Sequence, residues 1–122
     1  MAVTSFQDRD LADRDREWDG DKAEQNVRRW AGALDEPNEK YRDAHVWYDA
    51  DKKENFTAYK LLFCDVVGGD LVAVPRGVFA AAAVMQGSRG GADLPADDVD
   101  RVKSHLAKYY AKMGEQAPWD RS

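Results

Sequence analysis

A chain of 122 residues with 43% apolar and 34% charged residues and thirteen aromatics has the size of one domain around one core, and is too aromatic for a disordered polypeptide. Its net charge of -5 and its lack of a basic face argue against nucleic acid as the main partner, since phosphate binding needs clustered Lys and Arg. No apolar run approaches the roughly 20 residues of a membrane helix, the longest being Val78 to Met85.

The charge is concentrated at the start. Between Asp8 and Asp21, seven acids stand against three arginines and leave that stretch at -4. With Leu11 as its one weak apolar position, residues 1–18 read as a flexible charged arm that buries no face of its own. It has no hydrophobic segment of the signal-peptide kind. Trp18 stands out at its end, because a tryptophan beside such a stretch is expected to pack on its own domain or on a partner.

Residues 19–114 read as a single α+β domain. Asp19 or Asp21 can cap a first helix over Lys22–Leu34, with Ala23, Val27, Trp30, Ala31 and Leu34 at helical spacing. Asp35-Glu36-Pro37-Asn38 is its expected stop. Ala44–Tyr48 reads as a short strand and Asp49–Asn55 as a polar turn. Tyr59–Val67 is the strongest strand signal. Gly68-Gly69 then joins it to Leu71–Val74 as a hairpin, because tight hairpin turns need positive φ. Pro75 ends the sheet and opens an alanine-rich helix lined by Val78, Phe79, Ala82, Ala83 and Met85. Gly87-Ser88-Arg89-Gly90-Gly91 breaks that helix and leaves Arg89 exposed. The last helix spans Pro95–Met113, where Val99, Val102, Leu106, Tyr109 and Met113 form the clearest amphipathic pattern. Gly114 stops it, and residues 115–122 form a tail that carries Trp119. The sum is a small antiparallel sheet of two or three strands packed with about three helices.

No constellation of chemistry stands out. Asp49-Ala50-Asp51-Lys52-Lys53-Glu54 lacks the central Gly and the spacing of an EF-hand loop and carries two lysines, so it reads as a solvated turn. His45, His105 and Cys64 have neither zinc spacing nor a defined nucleophile–base relation, and read as a buried thiol and packed imidazoles. The glycine-rich loop lacks the Lys-Ser/Thr of a P-loop. A single cysteine excludes an internal disulfide and fits a reducing compartment. The expectation is a binding protein with no enzymatic activity, metal or cofactor. Its partner-binding candidates are Trp18, Arg14, Arg16, Arg89 and Trp119, since interfaces favour aromatic and Arg anchors.

Three stretches, DRDREWDG (Asp13 to Gly20), VWYDADKKENFTAYKLLFCDVVGGDLVAVPRGVFAAAAVMQGSRGG (Val46 to Gly91) and VKSHLAKYYAKM (Val102 to Met113), together resemble a small domain family of unassigned function. That family occurs in phage and prophage proteins, either free-standing or attached to head-morphogenesis proteins such as prohead proteases. The likeness spans about Trp18 to Met113 and brings no agreed catalytic residues. It implies a phage-encoded accessory protein that binds the capsid or another head protein, as a decoration or assembly factor. The implied location is the host cytoplasm, with incorporation into the virion. The alternative is an intracellular adaptor or regulatory domain that binds another protein.

Overall fold

The computed structural model describes residues 2–87 and 93–120. In order, the elements are β1 (Ala2–Val3), α1 (Gly20–Ala31), α2 (Glu39–Arg42), β2 (His45–Tyr48), β3 (Tyr59–Leu62), β4 (Cys64–Val67), β5 (Asp70–Ala73), α3 (Pro75–Met85) and α4 (Ala96–Lys112), with short 3-10 turns at Ala50–Lys52, Phe56–Ala58 and Pro118–Asp120. The fold is α+β, with one antiparallel sheet ordered β1-β2-β3 and a second made of β4 and β5.

Asp19 caps α1 by accepting a hydrogen bond from Lys22 N at 3.2 Å, and Asp21 stands in the first turn, where the helix dipole favours an acid. The helix ends earlier than its apolar spacing suggests. Gly32 adopts φ 68° and turns its N–H back onto Arg28 and Arg29 carbonyls, a left-handed cap that glycine accepts without strain. Leu34 is therefore off the helix and 65% exposed. Ala23, Val27 and Ala31 carry the buried face. Asn38, expected within the stop, caps α2 through Tyr41 N at 2.9 Å and reaches back to Ala31 O at 2.7 Å.

The apolar run Tyr59–Val67 divides into two strands of different sheets. Leu61 takes φ 64°, which bends the strand, and Phe63 then sits between the sheets at 1% exposure. Its N–H donates to Ala44 O at 3.2 Å, and its carbonyl accepts from Val74 N at 3.0 Å. Period-2 patterning cannot mark such a break, because both halves remain apolar. The hairpin has the expected form: Val67 pairs with Asp70, and Gly68 and Gly69 both have positive φ, 60° and 86°, as a type I′ turn requires.

The core joins Val27 of α1, Tyr41 of α2, Val46 of β2, Phe63, Val78 and Ala82 of α3, and Val102, Leu106 and Tyr109 of α4. Each such large apolar side chain contributes about 1.5–3 kcal/mol on burial. In α4 the expected face is shifted: Asp98 is buried and Val99 is not. The Asp98 carboxylate accepts from Trp47 Nε1 at 2.9 Å and lies in the first turn of the helix, so a buried acid there has both a donor and a favourable dipole.

The largest departure from the sequence expectation is at residues 1–18. Residues 2–18 of the stretch read as a flexible arm without a buried face lie along the domain as a strap. Ala2 and Val3 pair with Tyr48 and Trp47. Thr4 is buried and its hydroxyl donates to His45 O at 2.7 Å. Phe6 packs 4.9 Å from the Tyr109 ring, and His105 Nδ1 is 3.1 Å from Thr4 O. Further on, Leu11 forms a parallel bridge to Ala73, flanked by Ala12 N to Ala73 O at 2.8 Å and Ala73 N to Asp10 O at 3.0 Å. One strap thus pairs with an edge of each sheet, satisfying backbone groups that would otherwise stand open.

Candidate functional site

A groove of about 720 Å³ lies between α1, α3 and β3. All four residues of β3, the edge strand of the larger sheet, line it, with Phe56 beside them and Ala80, Ala81 and Val84 opposite. The buried Tyr41 and His45 form its inner part, and the half-buried Trp18 also lines it. Trp18 gets there because Gly77 has no side chain. A Cβ at Gly77 would lie 2.9 Å from two Trp18 ring carbons and 3.0 Å from Phe63 O, closer than packed atoms tolerate.

Four of the groove's polar groups, Glu24, Arg28, Tyr41 and His45, are tied together. Glu24 accepts from the Tyr41 hydroxyl at 2.8 Å and pairs with Arg28 one helical turn away. The Arg28 guanidinium lies 3.6 Å from the Phe56 ring centre, a cation–π contact. Burial, reinforced by Glu24, pushes the Tyr41 hydroxyl well above its ordinary range. His45 is buried with Nδ1 2.9 Å from Tyr41 O, and burial lowers its pKa to about 4. At neutral pH the phenol is thus protonated and the imidazole uncharged, while the carboxylate is committed to Tyr41 and Arg28. Such a set orients and shapes a surface; a proton-transfer site needs a group poised near neutrality. Cys64 lies elsewhere, fully buried, with its thiol pushed up by burial, and a buried thiol held protonated is inert.

Leu61 adds a second feature. Among the described residues it is the one non-glycine with positive φ, and it stands in the groove wall. A bulky residue in that region costs of order 1–3 kcal/mol and persists only where the surroundings hold it.

The described residues singled out from sequence fall into three neighbourhoods. Trp18 is in the groove. Arg16 pairs with Asp65 at 3.2 Å, which also accepts from Asn26 at 3.1 Å; Arg16 Nε is buried without a partner among the described residues. On another face, Arg14 pairs with Glu115 and stands 5.9 Å over Phe79. Phe79 stacks obliquely on Tyr110, and Tyr110 meets Trp119 edge-on at 6.4 Å. Arg14 and Trp119 therefore converge on one pair of rings. Arg89 lies outside the described residues. Glu24, Arg28, Tyr41, Phe56 and Leu61 were not singled out: the Glu24–Arg28 spacing of four was a signal, whereas nothing local marks Leu61.

In the Asp49–Glu54 turn, Asp49 accepts from Asp51 N at 3.1 Å as a local cap. Among the described residues no three His, Cys, Asp or Glu side chains cluster as metal ligands, and no helix is long and apolar enough to cross a membrane. No protein-family model, curated protein or solved structure matches this chain.

Proposed function

We propose that the chain is a non-enzymatic accessory protein of a phage head, which binds a capsid or head-assembly protein through the groove lined by Trp18. The observation that carries the binding role is the groove wall itself. Aromatic and aliphatic side chains stand around the linked Glu24, Arg28, Tyr41 and His45, and Leu61 is held off its preferred backbone conformation. Such a surface is preorganised for contact and lacks a poised acid, base or nucleophile. The assignment to a phage head rests on the resemblance of Asp13–Gly20, Val46–Gly91 and Val102–Met113 to the phage domain family.

Mass spectrometry of purified phage particles made in cells expressing this chain tests the reading. Stoichiometric incorporation, reduced when the exposed groove residue Thr57 is changed to Tyr, is the expected result. Absence from particles and from head-assembly intermediates removes the head assignment and favours an adaptor in the host cytoplasm.

A further inference from the structure

In sequence, residues 8–21 alternate acids with arginines; in the fold the arginines are paired or half-buried and most of the acids are not. Each arginine turns onto the protein: Arg14 to Glu115, Arg16 to Asp65, and Arg9 into a half-buried position. Two of the acids are also used, Asp8 by Lys112 at 2.6 Å and Asp19 as the cap of α1. The other five, Asp10, Asp13, Asp15, Glu17 and Asp21, are exposed and have no ion-pair partner among the described residues. The stretch thus leaves five exposed carboxylates without an ion-pair partner among the described residues, while its arginines, Arg14 still exposed, are paired or half-buried.

Of these five, Asp21 lines the groove together with Trp18, and Asp93 is a further exposed acid on its wall. Asp13 and Asp15 line a separate, smaller depression with Arg16 and Val67, a few residues before Trp18 along the chain. Of the two cations in the wall, Arg28 is committed to Glu24 and Phe56, and Lys60 is exposed. The aromatic and aliphatic part of the groove supplies contact area that water leaves on binding, and the carboxylates supply sign selection and steering. Phosphate backbones and acidic peptides are repelled by the same charges.

We propose that the groove takes a Lys/Arg-rich segment of a partner protein, with basic side chains along Asp13–Asp21 and one apolar side chain seated among Trp18, Tyr41, Phe56 and Leu61. This rests on the reading of the chain as a protein-binding domain and specifies the chemistry of its partner.

The test is fluorescence anisotropy of the full chain with three labelled peptides: a short Lys/Arg-rich peptide with a central Phe, the same peptide with Ser for Phe, and a Glu-rich peptide with the Phe. The expected result is binding of the first peptide, weaker by about tenfold or more for each of the other two. The triple variant Asp13→Asn, Asp15→Asn, Glu17→Gln should weaken it by a similar factor and flatten its salt dependence. Thr57→Tyr, at an exposed position on the groove, should weaken the Phe peptide and leave the Ser peptide unchanged, with circular dichroism confirming the fold. Equal binding of the Phe and Ser peptides reduces the strip to a nonspecific polyanion and overturns the proposal. So does binding that both variants leave unchanged, or self-association of the chain through the groove in sedimentation. The broader reading fails separately. If wild-type chain joins head particles and both variants join them equally, the partner chemistry is wrong and the head assignment stands. If peptide binding behaves as expected and wild-type chain is absent from heads, the reverse holds.

Discussion

The strap at residues 2–18 and helix α4 are both rich in charge, yet different physics holds each in place. In α4, Val102, Leu106 and Tyr109 return to one face every three or four residues, and the helix needs only an apolar surface to lie on. The strap has no period. Single anchors hold it, each to a distant part of the chain: Thr4 to His45 and Val46, the Tyr109 hydroxyl donating to Gln7 O, Leu11 to Ala73, and Arg14 to Glu115. The contrast shows that a charged stretch without amphipathicity becomes part of a fold when sheet edges offer it backbone partners. It also accounts for the sorting of charge, because a strap fixed along its length must turn some side chains in and others out.

Deleting residues 2–12 separates the two cases most sharply. It opens an edge of each sheet and uncovers His105 and Tyr109, so urea denaturation should register a loss of order 5 kcal/mol. A free arm leaves the transition unchanged, and that outcome breaks the comparison. Leu106→Ala on α4 should cost about 2–5 kcal/mol in the same measurement, as a cavity at a fully buried position. A smaller loss would show that the helix repacks.

Gly77→Ala sharpens the boundary between strap and groove. The added methyl meets Trp18 and Phe63 O, and an overpacked contact of this kind costs about 1–3 kcal/mol. Against a Trp18→Ala background the penalty should shrink but not vanish, since the backbone oxygen remains. A double-mutant cycle measures that coupling; a coupling of zero would detach Trp18 from α3.

The smallest effect concerns acidity and is absent at neutral pH. Burial is the main cause that lowers both His45 and His105 from 6.5 to about 4. As pH falls the unfolded chain takes up these protons first. Stability that is complete above about 6.5 is therefore lost progressively down to about 4. Thermal midpoints followed across this window should fall less steeply in His105→Gln, by at most one proton of slope. An unchanged slope would assign the acid sensitivity to other groups.

Much of the architecture was legible locally. The spacing of Val102, Leu106 and Tyr109 marks α4, Gly68-Gly69 marks the hairpin, and Pro75 marks the start of α3, because each depends on residues a few positions apart. The groove was legible only in part. Trp18 attracted attention as an aromatic among charges, and Glu24 and Arg28 stand one helical turn apart. Tyr41 and Phe56 carry no local signal of a site; they line the groove only once α1 and β3 are brought together. Arg14 and Arg16 read as exposed arm residues, but their partners, Glu115 and Asp65, are distant in the chain and invisible to any local pattern.

By itself the sequence determined the class of the fold, the type of most elements, and the excess of acid near the start, all properties of composition and short-range spacing. Only the tertiary structure decided that Tyr59–Val67 serves two sheets, that the charged stretch is a strap, and that its acids face outward. Those outcomes depend on which backbone groups remain unpaired once the sheets form, and on where a glycine leaves room for a tryptophan, and both are settled by contacts between residues far apart in the chain.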